Sequence, residues 1–260
     1  MPVALAAQTP MRGDSIHAGQ TLFTWRDAAL AGGFVAATIA MFPLDRASAL
    51  RLQNSNTQAN RSLENAAINV RKVADPGSIV IGVSMYAVGR VGRWRELADL
   101  GLHGTEAVAI SGAATALIKD LAGRARPYVS RDTNAHDFAF GRGIGHGGGY
   151  QSFPSGHASA AFAAASVVTS ESQRWWPRGT RIVAPLMYGG ATLVALSRMY
   201  NNAHWASDVM FGAALGTFSG IKVVRYSHGH SNNFIDRTLL GLTILPTPSG
   251  GAAIGVSVTQ

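Results

Sequence analysis

Small apolar side chains arrive in long blocks, and that pattern constrains the fold more than any other feature of the chain. Residues 28–43 read AALAGGFVAATIAMFP and 77–89 read GSIVIGVSMYAVG; 97–121, 157–172, 182–199 and 204–225 follow, with alanine and glycine recurring throughout. Runs of this length exceed an ordinary strand, and alanine is the strongest helix former. A more polar helix is predicted around 62–73. The expectation is an all-α protein, a bundle of about six or seven helices whose small faces pack closely. The tail, LLGLTILPTPSGGAAIGVSVTQ, alternates around a Pro-Ser-Gly-Gly turn, which predicts a short C-terminal β-hairpin. The domain plan is an irregular segment over 1–23, a helical domain over 24–232 and a hairpin tail over 233–260.

Composition narrows the partners. Only 14% of the 260 residues are charged, against 47% hydrophobic, yet the net charge is +8. Such a balance favours anionic partners. No dense Lys/Arg run or basic–aromatic interleaving is present, which argues against nucleic acid. Cysteine is absent, so disulfides, thiolate metal sites and cysteine nucleophiles are excluded. His136, Asp132 and Asp137 lack metal-ligand spacing, and no metal site is expected. His103 reads as a satisfied core or interface residue, and His228 and His230 as solvent-facing. The N-terminal ALA-AQ resembles the end of an export signal, but the basic and most of the apolar part of such a signal are missing.

The apolar blocks leave the membrane question open. The block at 28–43 is short for a bilayer crossing, and Glu106, Ser111 and Thr115 interrupt another. Basic residues flank both ends of the predicted bundle, so the positive-inside rule does not choose an orientation. Trp175 and Trp176 suit either an interfacial anchor or a packed helix end.

Three polar segments break the apolar pattern at helix ends. In KDLAGRARP, Lys119 and Arg126 lie seven residues apart, about two helical turns, and Pro127 stops the helix. In FPSGHASA, Ser155 and Gly156 stand where a helix begins, where free N–H groups attract an anion; His157 beside that anion is placed to donate a proton. In SRMYNNAHWASD, Arg198 offers a guanidinium to oxyanions. There His204 and Asp208 share a helical face four residues apart, so that a carboxylate holds one ring nitrogen and leaves the other as a nucleophile. Together these supply the parts for phosphoryl transfer through a phosphohistidine. GRGIGHGGG (141–149) lacks the Lys-Ser/Thr of a P-loop and reads as a flexible lid, with His146 placed to touch substrate.

Lys119-x6-Arg126-Pro127, Pro154-Ser155-Gly156-His157 and Ser197-Arg198-x5-His204-x3-Asp208 resemble the three-part signature of the type 2 phosphatidic acid phosphatase superfamily. That superfamily also holds bacterial class A acid phosphatases and vanadium-dependent haloperoxidases. The resemblance covers about residues 97–225. It implies a helical bundle and metal-independent hydrolysis of a phosphomonoester or diphosphate. In that reading His204 is the nucleophile and Asp208 its orienting carboxylate. His157 is the general acid, then base, and Lys119, Arg126, Ser155, Gly156 and Arg198 hold the phosphoryl oxygens. It implies no cofactor, with vanadate an inhibitor. The substrate is a phosphorylated lipid or a small phosphoester, with membrane association and oligomerisation open. The implied location is a bacterial-type cell envelope with the site facing the periplasm or outside. The alternatives are a vanadate-dependent haloperoxidase, with vanadate as cofactor on His204, and a non-catalytic helical envelope protein.

Overall fold

Helices start and stop where local chemistry dictates. The computed structural model describes residues 22–74, 76–230 and 233–240, and the backbone of 242–246 and 252–256. Among these, α1 is Trp25–Leu52, α2 Ser55–Gln58, α3 Arg61–Ala74, α4 Gly77–Gly92, α5 Arg95–Ala122, α6 Gly156–Trp175, α7 Pro177–Tyr200, α8 Ala206–Gly229 and α9 Phe234–Leu239. Thr24 opens α1: its N–H and hydroxyl donate to Asp27 Oδ2 at 2.7 and 2.8 Å, satisfying a helix start that would otherwise strand its donors. Gly123, in the left-handed region at φ +53°, closes α5. Pro177 occupies the first turn of α7, where its missing N–H costs nothing.

One helix is longer than the sequence suggests. The apolar block ending at Pro43 is part of the 28-residue α1, which runs through the proline. An internal proline forfeits one backbone bond. Just beyond it, however, the side chain of Asp45 is fully buried against Arg124 and Ser207, and the segment reaches those partners as a continuing helix.

Helix α6 lies at the centre, packed on α5, α7 and α8; α1 packs on α8, α4 on α5 and α3 on α7. Small residues set the spacing. Gly212, Gly216 and Gly220 form an i, i+4, i+8 stripe on α8. A Cβ at these positions would collide with the Ser155 carbonyl, the Ser159 carbonyl, and the Ser166 side chain and Ala163 carbonyl of α6. Backbones meet this closely only where side chains vanish. The central cluster includes Leu100, Ala107, Ala163, Val167 and Val223.

A core built from small residues leaves the large ones outside. Ile39, Val80, Val83, Ile182, Leu186 and Leu193 are all exposed. Helices α1 and α7 are long and apolar enough to cross a membrane, and most of each apolar stretch faces outward. The 24 residues of α7 span about 36 Å, more than the roughly 30 Å of a hydrocarbon core. Trp25, Trp94, Trp175 and Trp176 are exposed, and Arg93, Arg95, Arg174 and Arg178 beside them are exposed too. All belong to the end where α5 begins and α6 finishes.

Strand β1 (Leu242–Pro246) pairs antiparallel with β2 (Ala252–Val256), Leu242 opposite Val256 and Pro246 opposite Ala252. The Pro-Ser-Gly-Gly turn lies outside the described residues, as does the N-terminal segment through residue 21 with its export-like sequence.

Candidate active site

The other end of the bundle gathers the C-termini of α1, α5 and α7 and the N-termini of α6 and α8. Ser155 caps α6, its buried hydroxyl accepting the Ala158 N–H at 3.5 Å and keeping its own proton to donate. The Ser155 N–H donates to the Asp208 carbonyl at 2.9 Å, which ties the start of α6 to the start of α8. Gly156 and His157 form the first turn of α6, both half-buried. A Cβ on Gly156 would lie 3.9 Å from Lys119 Cε, so the lysine reaches the α6 N-terminus from α5. Lys119 Nζ donates to the Gln151 carbonyl at 2.6 Å. Arg126 is aimed by its Nε on the Gly148 carbonyl at 2.7 Å and its Nη1 on the Ala203 carbonyl at 3.4 Å. Arg198 is buried in the last turn of α7. The charges of Arg126, Asp208 and Arg198 all act on Lys119, and those of Lys119 and Arg126 act on His204. The three polar segments picked out in the sequence thus meet at one place.

His204 sits in the short connection between α7 and α8 and is buried. Its Nδ1 lies 2.7 Å from the Ser152 carbonyl and 3.6 Å from Asp208 Oδ2. A carbonyl accepts only, so Nδ1 carries the proton and Nε2 keeps its lone pair. Burial pushes His204 down to about 3; the charges of Lys119 and Arg126 add to the effect and Asp208 opposes it. The ring is therefore neutral at ordinary pH.

The carboxylate works differently from the simple pairing that the i, i+4 spacing suggests. Asp208 Oδ2 accepts the Trp205 N–H at 2.9 Å, capping α8, and also accepts the Ser152 hydroxyl. Since the Ser152 carbonyl holds His204, Asp208 orients the imidazole chiefly through Ser152. Its other oxygen accepts from Arg124.

Arg124 and Asp45 are the residues that sequence reasoning missed. Arg124 is fully buried; its Nη2 meets Asp45 Oδ2 at 2.6 Å and its Nη1 meets Ser207 Oγ at 2.7 Å. Ser207 in turn donates its N–H and hydroxyl to Asp45 at 2.8 and 2.6 Å. Three rings, Phe42, Phe138 and Trp205, surround the guanidinium at 4.8–5.5 Å. A cation desolvated this fully persists because two carboxylates and the ring faces compensate it. The only hints in the sequence are a lone acid after an apolar block and an arginine two residues before Arg126.

The Gly-rich loop is stitched down. Arg126 N–H donates to the Gly149 carbonyl at 2.9 Å, Gln151 Nε2 to Asp120 Oδ1 at 2.8 Å, and Arg142 Nε and Nη2 to the Gly123 carbonyl at 3.0 and 2.7 Å. His146 is exposed, its Nδ1 3.1 Å from the Ile144 carbonyl.

The lipid A 1-phosphatase of Porphyromonas gingivalis is 39% identical over 89 residues, which cover 34% of this chain and 19% of that protein. The chain thus spans about a fifth of the curated relative it matches. A transmembrane PAP2-type phosphatidylglycerolphosphate phosphatase from Bacillus subtilis, known by crystal structure, aligns over 74% of this chain and 96% of its own at 20% identity, with a TM-score of 0.41. The PAP2 superfamily model matches residues 102–231, the half of the sequence that carries all eight predicted site residues, and the chain belongs to that superfamily.

Proposed function

We propose that this protein is a membrane-associated phosphatase that removes phosphate from a lipid phosphate or diphosphate through a phosphohistidine on His204. The observation that carries the reading is the state of His204: buried, neutral, Nδ1 committed to the Ser152 carbonyl, with the charges of Lys119 and Arg126 acting on it and that of Arg198 acting on Lys119. A nucleophile with its lone pair fixed among basic side chains suits a phosphoryl group.

The steps follow from these positions. Lys119, Arg126 and Arg198, with the Ser155 hydroxyl and the Gly156 amide, hold the phosphoryl oxygens. His204 Nε2 attacks phosphorus as the ester P–O bond breaks. His157, protonated beside the bound anion, gives its proton to the departing alkoxide. Water then attacks phosphorus, His157 takes the water's proton, and the P–N bond breaks to release phosphate and neutral His204.

Two features support a lipid substrate. The outer faces of α1, α4 and α7 are apolar. A cavity of about 420 Å³, lined by Met85, Ala161, Ala164, Leu186 and Val194 among others, begins one helical turn from both His157 and Arg198 and suits an acyl chain. The matched lipid A 1-phosphatase is named for a lipid phosphate, which agrees. Exposed tryptophans at the opposite end suit a membrane interface, and the site is proposed to face the periplasm or outside, as the family resemblance implies.

The test is trapping. Brief incubation with a ³²P-labelled lipid phosphate and an alkaline denaturing quench should leave label on the wild-type chain, stable to base and labile to acid, and none on His204→Asn. Undiminished turnover by His204→Asn would refute the assignment.

A further inference from the structure

The end of the bundle away from the phosphate cradle holds a second convergence of polar side chains. His103 on α5, Glu171 on α6 and His228 on α8 come from three helices. His103 and Lys119 are sixteen residues apart on α5, about 24 Å, so the two groups share no residue. His103 Nδ1 lies 2.6 Å from Glu171 Oε1, and His228 Nε2 lies 2.9 and 3.0 Å from Glu171 Oε1 and Oε2. One donor atom from each of the three falls within 4.8 Å of the others. The two rings stand nearly perpendicular, centroids 5.4 Å apart, each turning a nitrogen to the same carboxylate. His228 is half-buried rather than solvent-facing, and His103 and Glu171 are almost fully buried.

We propose that His103 Nδ1, Glu171 and His228 Nε2 bind a divalent transition metal of the zinc type, with the fourth position open on the His228 side. Two imidazoles and one carboxylate are a zinc-type donor set. The far side of His103 carries the independent observation. Its buried Nε2 has no hydrogen-bond partner among the described residues and faces the buried Asp236 Oδ1, likewise unpartnered, at 3.6 Å. A carboxylate on the outer nitrogen of a histidine fixes the tautomer that presents the inner nitrogen's lone pair to a metal. Asp236 belongs to α9, whose start is set by Asn233 accepting the Asp236 N–H at 2.9 Å. The charges of His103, Glu171 and His228 act on Asp99, one turn before His103, and those of His103 and Asp236 act on Glu106, so four carboxylates gather around the two rings. The metal would clasp α5, α6 and α8 at the end where no phosphate chemistry occurs. The inference does not depend on the phosphatase reading.

The experiment uses the full chain, untagged, in detergent micelles. It is stripped with chelator, loaded with Zn²⁺, washed, and analysed for metal and protein. About one zinc per chain is expected in the wild type and in His204→Ala, and less than a tenth of that in His228→Ala. Asp236→Asn should weaken binding about 10- to 100-fold in chelator competition. Loading with Co²⁺ should give the visible d–d absorption of a low-symmetry nitrogen and oxygen site, absent from Glu171→Gln. A wild type that retains no metal after washing, or a folded His228→Ala that retains as much, overturns the proposal in favour of a histidine–glutamate ion-pair network. Should His228→Ala not fold, the wild-type stoichiometry and the Co²⁺ spectrum decide alone.

Discussion

Replacing Arg124 by methionine tests whether the buried lock, rather than the cradle alone, holds the site together. The guanidinium is fully buried and bonds Asp45, Ser207, Asp208 and the Ala135 carbonyl. Methionine fills much of the space and keeps contact with the rings of Phe42, Phe138 and Trp205, so the loss is mainly electrostatic. Two buried carboxylates are left without their cation. Breaking one buried pair costs about 3–5 kcal/mol, and since both pairs share one guanidinium the losses do not simply add. A loss of at least ~3 kcal/mol is expected. Ser207→Ala removes one hydroxyl from the same network and should cost only about 1–2 kcal/mol. Chemical denaturation in micelles gives the stability, and steady-state turnover gives the second readout. Asp208 holds Ser152 and Ser152 holds His204, so kcat should fall more than KM rises in the folded fraction of Arg124→Met. A variant within 1 kcal/mol of wild type and with unchanged kcat would refute the argument.

The acid limb of the rate profile should lie far below the ordinary histidine range, because burial keeps the folded pKa of His204 near 3; stopped assays on the trapped phosphoenzyme from pH 3 to 9 check this. The same depressed value gives a stability signature. The unfolded chain takes up a proton near pH 6.5 and the folded chain does not until about pH 3. His204 therefore favours folding above pH 6.5 and progressively opposes it as pH falls toward 3. A chemical-denaturation series should show that slope and lose it in His204→Asn. Gly216→Leu should destabilise by about 1–3 kcal/mol through overpacking, since α8 must retreat from the Ser159 carbonyl; an unchanged denaturation midpoint would argue against the small-residue contact. Orthovanadate should inhibit competitively with a lipid phosphate, and Arg198→Ala should weaken that inhibition at least tenfold. Because the chain has no cysteine, single cysteines report topology cleanly. In intact cells an impermeant maleimide should label Phe140→Cys at the cradle end and not Arg178→Cys at the other.

Much of this protein was legible without coordinates because the signals are local. Helix positions follow from alanine-rich blocks with a start or stop residue at each end, and the helices of 62–73, 97–121 and 157–172 lie within a few residues of where composition places them. His204 and Asp208 share a face because a helix repeats every 3.6 residues. Lys119, Arg126, Ser155 and Arg198 stand out because charge and hydroxyl are scarce among apolar blocks. Pro43 misled because a proline is a local stop signal, whereas Asp45 gains its partners only through contacts 79 and 162 residues away.

What tertiary structure decided is which faces meet. Arg124 lies between Asp45 and Asp208 because α1 and α8 pack side by side, and nothing in the intervening 79 and 84 residues encodes that pairing. The partner of His204 Nδ1 is the Ser152 carbonyl because the loop before α6 is pinned to α8. The grouping of His103, Glu171 and His228 likewise arises from the packing of three helix ends. Periodicity determines the direction of a side chain about its own axis; only the close approach of separate helices, set here by Gly212, Gly216 and Gly220, determines what that side chain finds.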